Sequence, residues 1–234
     1  MPAQSRQMPT EQSVREAIES LLAVSGLKDL VRLYFNGMPN TDFAGFLFDT
    51  LSDNPPERVV ASDLVAVSFL DVSFGPTATG ALLYQGYLDA HLTTDNLPTE
   101  LDLWDALDRI NILYAARNVL DDLDGVGPVK ASKLLARKRP RLAPITDRHV
   151  GSFFGCSGWA FLSPLACCLS NNPDLVGRIN ELSPSPAGSG HSPTTLRLLD
   201  VAIWMTRSRA DSAKRAREEA LKDSRPLDVH TGDA

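Results

Sequence analysis

The residues whose types and spacing suggest chemistry lie near the middle of the chain. Gly125 and Gly127 flank a single valine and are followed by Pro128, which suits the first position of a helix because its missing N–H is not needed there. Lys130 and Lys133 fall in the first turns of that helix. Free N–H groups at a helix start favour an anion, and glycines let a ligand approach the backbone closely. The segment therefore predicts a phosphate-binding turn between two helices.

Basic side chains are concentrated around this turn. Residues 130–148 carry seven Lys and Arg and a single acid, Asp147, whereas the 234-residue chain has a formal net charge of −6. A basic patch on an acidic protein is a typical footprint of phosphate binding. The alternative is a solvated helix end followed by an exposed loop, and the charges alone do not separate the two interpretations.

Two sequence patterns in this region resemble a known family. Residues 123–127 (Leu-Asp-Gly-Val-Gly) resemble the helix-hairpin-helix motif, which grips the sugar–phosphate backbone of DNA. Residues 144–150 (Pro-Ile-Thr-Asp-Arg-His-Val) look like the Pro-Val-Asp-x-His-Val signature of the helix-hairpin-helix DNA glycosylase superfamily, at the spacing that superfamily shows. The resemblance covers residues 104–154, while segments 21–92 and 196–205 resemble an uncharacterised actinobacterial family of similar length.

The resemblance implies a monofunctional DNA glycosylase that acts in DNA repair. Such an enzyme binds duplex DNA, flips a modified or damaged base into a pocket and hydrolyses its N-glycosidic bond. Asp147 would be the catalytic carboxylate, stabilising positive charge on the sugar or activating a water. The Schiff-base lysine of bifunctional members would fall at Val129, so no lyase step is expected. The implied DNA contacts are Gly125, Val126, Gly127, Lys130, Lys133 and Arg148.

The same resemblance bears on cofactors. The iron–sulfur cluster of some members needs four closely spaced cysteines, and this chain has three in all, so no cluster is expected. No metal ligands are expected from side chains. A Na⁺ or K⁺ ion bridging a phosphate to the hairpin would lie at the carbonyls of Leu123, Gly125 and Val126. Thr146, which is an extra residue before Asp147, and Ser152, where the family often has arginine, depart from the family pattern.

Asp147 also has a structural interpretation that the sequence leaves open. It precedes an apolar helix start, and aspartate is a favoured N-cap. Asp49 and Asp200 are weaker pocket candidates, because each stands beside apolar residues where a cap or a helix-surface role is common. Any of three tryptophans could stack on a flipped base, and nothing in the sequence selects among Trp104, Trp159 and Trp204.

Apolar residues recur at helical spacing through most of the chain, which predicts a mainly α fold. We expect a helix capped by Ser62-Asp63 that runs through residues 64–70, although Val65, Val67 and Phe69 also fit a strand. Further helices are expected at 81–91 and 103–123, and one helix that is buried over 196–205 and charged over 207–222. Two helical lobes with a cleft between them are predicted. One combines residues 13–101 and 170–223, and the helix-hairpin-helix lobe covers 102–169. Residues 1–12 and 224–234 are predicted to be flexible tails, and 183–190 a loop.

Composition excludes several classes of protein. With 43% hydrophobic and 22% charged residues, the chain is neither disordered nor fibrous. No apolar run approaches the ~20 residues of a membrane span, so no membrane partner is expected. Residues 1–12 have no apolar signal core, so secretion is not expected. Three cysteines cannot form a disulfide framework, and a reducing cytoplasm is the expected setting.

A second hypothesis is a non-catalytic helix-hairpin-helix protein that binds DNA or a partner and uses Asp147 only as a cap. Both hypotheses predict DNA binding that weakens with salt. The net charge of −6 keeps open a third, in which nucleic acid plays no part.

Overall fold

Helices form most of the protein over residues 8–36, 43–51, 54–184 and 192–223, the parts of the chain that the computed structural model describes. No strand occurs in these ranges, which confirms the prediction of a mainly α fold. No helix in them is long and apolar enough to cross a membrane. The α-helices are α1 Glu11–Leu22, α2 Leu27–Asn36, α3 Leu47–Thr50, α4 Ala61–Ser68, α5 Pro76–Tyr84, α6 Ile110–Asp121, α7 Pro128–Lys138, α8 Arg148–Phe153, α9 Leu162–Asn171, α10 Pro173–Asn180, α11 Thr195–Arg207 and α12 Asp211–Asp223.

Local sequence signals explain where several helices begin. The hydroxyl of Thr10 accepts from the N–H of Ser13, and that of Thr194 from the N–H of Arg197, so both threonines are N-caps. Helices α5, α7 and α10 instead start with a proline. Because α1 begins at Glu11, the predicted tail of residues 1–12 overlaps the first helix. Residues 1–7 and 224–234, and most of the predicted 183–190 loop, lie outside the described residues.

Helix α11 lies at the centre of the packing. It contacts α2, α8, α10 and α12, and its residues from Thr195 to Ile203 are all buried. This confirms the prediction of a buried helix over residues 196–205. Around it, α1 packs on α9 and α10, while α4 and α6 pack on α7. Buried side chains from all these helices join in one apolar core.

Helix boundaries differ from prediction at three places. Helix α5 begins at Pro76 and ends at Tyr84, because the chain turns at Gly86 with φ of 59°. Residues 103–109 form two short 3-10 turns before α6 starts. The single helix predicted across 196–222 is instead α11 and α12. The chain is extended at Ser208, and Arg217 donates to the carbonyls of Met205 and Ser208 that the break leaves free. Over residues 61–68 the prediction of a helix is confirmed.

Four of the seven basic residues of the predicted patch are buried, so at the end of α7 neither a basic surface nor a solvated helix end is found. Lys133, Arg137, Lys138 and Arg139 are only 8%, 4%, 2% and 0% exposed, respectively. Sequence patterning failed here because a long basic side chain can reach backbone carbonyls inside the protein, and those carbonyls leave no signal in the sequence.

The C-terminal end of α7 joins the N-terminal segments to the central helices. Lys138 Nζ lies 2.8 Å from Asp63 Oδ2, and Arg137 Nε lies 3.3 Å from Asp63 Oδ1, with all three side chains buried. Arg137 also donates to the carbonyls of Phe48 and Leu51. Desolvation lowers the pKa of Lys138, and the Asp63 carboxylate partly offsets this.

Among the described residues, no carboxylate lies within hydrogen-bonding distance of Arg139. Its guanidinium donates to the carbonyls of Pro56, Leu92, Leu97 and Lys138. Burial lowers its pKa to about 10. The basic residues of α7 therefore act as internal cross-links that tie residues 48–63 and 92–97 to this helix.

Candidate active site

A pocket of about 240 Å³ opens beside the start of α8. Helices α2, α7 and α11 contribute to its walls, together with the segments that follow α4 and precede α3. Its charged lining consists of Asp71, Lys133, Asp147, Arg197 and Asp200, and its aromatic lining of Tyr34, Phe43, Phe69 and Trp204. Charged and aromatic groups thus converge on one concave site, which is the usual character of a ligand pocket.

Asp147 is both a helix cap and a pocket residue. Its Oδ1 accepts from the N–H groups of His149 at 2.7 Å and Val150 at 3.0 Å, so the capping interpretation is confirmed. Its Oδ2 accepts no hydrogen bond from the described residues. The N–H of Thr146 donates to Ser132 Oγ at 3.0 Å, which fixes the residue before Asp147 against α7. One carboxylate oxygen therefore holds α8, while the other remains available in the pocket.

A buried arginine organises the opposite wall. Arg197 Nε lies 2.9 Å from Asp49 Oδ2, and its Nη1 donates to Asp200 Oδ2. Its Nη2 donates to the hydroxyl of Tyr34 at 2.8 Å and to the carbonyl of Gly45 at 3.0 Å. The guanidinium is thus shared between two carboxylates, and its hydrogen bonds join Tyr34 and the carbonyl of Gly45 to the same cluster.

Burial has the largest effect on the pKa values of Asp200 and Tyr34 in this wall. Desolvation raises the pKa of Asp200 to about 6, with Arg197 opposing the shift and Asp147 adding to it. Desolvation also raises the pKa of Tyr34 to about 12. A carboxyl group that titrates near neutral pH in a pocket is a feature shared with catalytic sites.

Lys133 lies inside the pocket and not on the outer face of the turn. Its Nζ donates to the carbonyl of Leu70 at 2.5 Å, and the side chain is buried. Desolvation lowers its pKa, while Asp200, Asp147 and Asp71 act in the opposite direction. As placed here, Lys133 contributes positive charge to a pocket that already holds three carboxylates.

Aromatic rings form the apolar wall. The ring of Tyr34 lies 5.5 Å from that of Phe43 and 6.0 Å from that of Trp204, measured between centroids. Of the three tryptophans, Trp204 lines this pocket, whereas Trp159 is buried elsewhere in the core. The structure therefore selects Trp204 as the tryptophan available for stacking, which the sequence could not do.

Of the predicted DNA contacts, Gly125, Gly127 and Lys130 lie together at the turn between α6 and α7, whereas Lys133 lines the pocket and Arg148 lies on α8. Gly125 has φ of 78°, which a residue with a side chain rarely adopts, and Gly127 is extended at the cap position of α7. A Cβ atom on either glycine would meet nothing within 4 Å. Both are exposed, whereas Val126 between them is buried. No side chain of the described residues caps α7, so its first N–H groups have no side-chain acceptor.

Lys130 occupies the place where a cation was predicted. Its Nζ donates to the carbonyl of Gly125 at 2.7 Å, and the carbonyl of Leu123 accepts from the N–H of Val126 at 2.9 Å. An ammonium group thus already supplies the positive charge at this turn. Two of the three carbonyls predicted to hold a Na⁺ or K⁺ thus already accept a hydrogen bond, and no step proposed below uses such an ion. Within the described ranges, no group of three or more His, Cys, Asp or Glu is arranged to hold a metal.

A second, more open pocket of about 450 Å³ adjoins the first, and Asp147 belongs to both linings. Its walls include Pro128 and Val129 at the start of α7, and the glycine-rich turn at residues 155–158. Arg148 also lines this second pocket and is exposed. The space therefore runs from the α7 N-terminus to the carboxylate of Asp147.

Sequence reasoning missed the residues that complete the site. Arg197 stands in an otherwise apolar helix, and this was the available signal, because a buried arginine requires acidic partners. Asp71 has φ of 60° at the pocket edge, a strained backbone for a residue other than glycine, and no sequence pattern marks it. Gly45 lies where a Cβ would be 1.9 Å from the hydroxyl of Tyr34, so its role depends on a contact between distant segments.

Comparisons with known proteins place the chain without assigning an activity. A search of curated proteins and a search of solved structures each found no match. A family model described as a family of unknown function (DUF6308) matches residues 27–207, which span α2 to α11 and include every charged and aromatic residue of the pocket lining. Since that match covers more than half of the sequence, the chain belongs to the DUF6308 family.

Proposed function

We propose that this protein binds duplex DNA and hydrolyses the N-glycosidic bond of a modified or damaged base, as a monofunctional DNA glycosylase. The observation that carries the proposal is the position of Asp147, which caps α8 and also lines an aromatic-walled pocket near the α6–α7 turn. A carboxylate placed beside a pocket of this kind can stabilise a positively charged sugar.

The α6–α7 turn is the proposed grip on the DNA backbone, as in a helix-hairpin-helix motif. The uncapped N–H groups of α7 favour an anion, and Lys130 adds positive charge beside them. Neither backbone strain nor packing requires a glycine at position 127, where φ is −86° and a Cβ meets nothing. A phosphate that approaches the backbone closely accounts for that glycine.

The 240 Å³ pocket is the proposed site for the flipped base. Its aromatic rings offer flat surfaces for stacking, and its charged groups offer hydrogen bonds to the edge of a base. With the base in this pocket, the sugar lies over Asp147, and the more open second pocket accommodates the backbone between Asp147 and the α7 N-terminus.

The proposed reaction needs only water as a co-reactant. The bond between C1′ and the base nitrogen breaks, its electron pair leaves with the base, and the sugar becomes cationic. Asp147 Oδ2 stabilises that cation and accepts a proton from the water that attacks C1′. The departing base takes a proton from solvent, and Asp147 releases its proton to solvent, so that water is the only reactant consumed. Position 129, where a bifunctional enzyme would place its lysine, is a valine on the surface of α7, so the reaction ends at hydrolysis.

The test is base release from a panel of duplexes that carry different modified bases, measured for the wild type and for Asp147→Asn. Asparagine still caps a helix, so the variant keeps α8 and loses the negative charge. Excision should fall by about 100-fold or more. Asp174→Asn, which removes an exposed acid from the start of α10, is the matched control. Full activity in Asp147→Asn on a substrate that the wild type cleaves would overturn the catalytic role.

The alternative is a non-catalytic DNA-binding or interaction protein. This alternative is favoured by the two hydrogen bonds that Asp147 Oδ1 accepts from backbone N–H groups, because these bonds alone give Asp147 a structural role as a helix cap. Under this alternative, duplex binding weakens in Lys130→Gln but not in Lys28→Gln, and no duplex of the panel loses a base. Absence of binding at low salt, in the wild type, would exclude both functions.

A further inference from the structure

Helix α12 contributes one wall of the 240 Å³ pocket. Ala210, just before the helix, and Ser212, in its first turn, both belong to the pocket lining. The helix packs on α2 and α11. Those two helices supply Tyr34 and Trp204, two of the aromatic residues of the same pocket. A movement of α12 away from α2 and α11 therefore widens the space that a ligand can occupy.

The apolar contact that holds α12 in place is small. Of its described residues, those that are buried are all alanines, namely Ala213, Ala216 and Ala220. Leu221, the large apolar side chain of this helix, is 57% exposed. Because an alanine buries a single methyl group, it removes much less apolar area from water than a leucine does. Helix α11, whose residues 195–203 are all buried, is by comparison firmly fixed in the core.

Arg217 anchors α12 to the C-terminal end of α11. Its Nη1 donates to the carbonyl of Met205 at 2.6 Å, and its Nη2 donates to the carbonyl of Ser208 at 2.9 Å. The last carbonyls of a helix have no partner within the helix and carry a partial negative charge. Hydrogen bonds that a guanidinium donates to them are stronger than bonds between neutral groups. Arg217 is therefore placed to act as a latch between the two helices.

The connection between α11 and α12 can serve as a hinge. Arg207 at the end of α11 stacks on Phe153 of α8, with 5.0 Å between the guanidinium carbon and the ring centroid. The N–H of Ser208 donates to the carbonyl of Trp204, so Ser208 is still tied to α11. Residues 209–210 are exposed and lie outside both helices. Rotation at these two residues would move α12 as a unit and leave α11 with its pocket side chains in place.

We propose that α12 is a movable wall of the pocket, latched by Arg217, which swings out about residues 209–210 to admit a ligand and returns to enclose it. This inference goes beyond the proposed function, because it concerns access to the cavity and holds for any ligand that the cavity takes. Elements that open around a site come from the less stable parts of a protein, and the small apolar contact of α12 is what such an element requires.

Hydrogen–deuterium exchange gives the first test. Local opening exposes the amides of α12 without unfolding the core, so in the wild type they should be protected at least about tenfold less than those of α11. Arg217→Met removes the donors of the latch and keeps a long side chain that suits a helix. It should lower the protection of α12 by about a further tenfold and leave that of α11 unchanged. Arg215→Met is the matched control, because Arg215 is an exposed arginine of the same helix.

The rate of thiol alkylation measures access to the pocket. Val201 is a buried residue of α11 that lines the pocket, and Val201→Cys introduces a thiol there. The reagent is iodoacetamide, which is small and uncharged, and the chain without this substitution gives the background from the native cysteines. When labelling requires opening, its rate follows the population of the open form. Adding Arg217→Met should therefore accelerate labelling about tenfold, in step with exchange in α12, whereas adding Arg215→Met should not.

Two results would overturn the proposal. Equal protection of α11 and α12 in the wild type would mean that α12 opens only when the whole protein unfolds. Unchanged labelling at position 201, despite faster exchange in α12, would mean that its movement does not open the pocket. Since neither measurement uses nucleic acid, failure here leaves the glycosylase proposal in place, and absence of base release from every duplex leaves the movable wall in place.

Discussion

The carboxyl groups of Asp147, which caps α8, and Asp200, on α11, line the same pocket, and both interact electrostatically with Lys133. Like charges brought together in a partly buried site oppose folding. Their convergence is therefore expected where function, and not stability, has selected the residues.

The pH dependence of stability should report the ionisation of Asp200. Its pKa is raised from 3.8 to about 6, so its contribution to stability is fully present below about pH 4 and is lost as the pH rises through 6. Asp200→Asn does not titrate. Between pH 4 and 8 the unfolding free energy of the variant relative to wild type should therefore rise by about 3 kcal/mol, or roughly 6–12 °C in Tm. Thermal unfolding across this range tests it, and a constant difference would contradict it.

Loss of the Asp63 carboxylate should be severely destabilising. Asp63→Ala leaves Arg137 and Lys138 buried without their shared counter-ion, at a cost of about 3–5 kcal/mol. Denaturant unfolding measures this directly. The control is Asp211→Ala, which removes an exposed pair with Lys214 and should change the unfolding free energy far less, because solvent screens such a pair. Similar small losses in both variants would show that the α7 cross-links do not hold the fold.

A methyl group at position 45 should disturb the wall that Tyr34 and Arg197 form. In Gly45→Ala the new Cβ would lie 1.9 Å from the hydroxyl of Tyr34, which must move and lose its contact with Arg197. We expect a destabilisation of about 1–3 kcal/mol. Adding Tyr34→Phe removes the hydroxyl oxygen, which lies closest to the new Cβ. In a double-mutant cycle this second substitution should restore part of the lost stability. Gly80→Ala on α5 is the control, because a Cβ there would meet no atom within 4 Å, and it should stabilise the protein by about 0.5–1 kcal/mol. A stabilising effect of Gly45→Ala would contradict the geometry.

The two glycines of the turn should respond differently to alanine. Gly125→Ala forces a side chain into a left-handed backbone and should cost about 1–2 kcal/mol of stability. Gly127→Ala should cost less than about 1 kcal/mol, because its φ is ordinary, yet it should weaken duplex binding at low salt. Unfolding and fluorescence anisotropy measured on both variants separate the effects. Unchanged binding in Gly127→Ala would remove the turn from the DNA interface.

Periodicity was enough to predict the helical fold and the buried α11, because apolar spacing records which face of a helix is covered. The cap at Asp147 was likewise accessible, since capping depends on neighbours in sequence. The break between α11 and α12 at Ser208 could not be predicted, because the apolar segment before it and the charged segment after it both have the spacing of a helix. At that break Arg217 of α12 donates to the carbonyls of Met205 and Ser208, a contact with the backbone that leaves no pattern in the sequence.

The pocket itself was beyond sequence reasoning. Asp200 and Asp49 were recognisable as unusual polar residues among apolar ones, but their shared partner Arg197 joins segments about 150 positions apart. The basic run at the end of α7 misled for the same reason. Its counterparts are backbone carbonyls, and every residue type has one.

The burial of basic side chains has a consequence for how fast the protein meets a polyanion. Within the described residues, five Lys and Arg but only two Asp are buried, so the outer surface is more acidic than the net charge of −6 indicates. Long-range attraction therefore does not guide encounters with nucleic acid, and association should proceed near the unsteered rate of about 10⁵–10⁶ M⁻¹s⁻¹. Moderate salt should accelerate that first encounter by screening repulsion, even as it weakens the short-range phosphate contacts that follow.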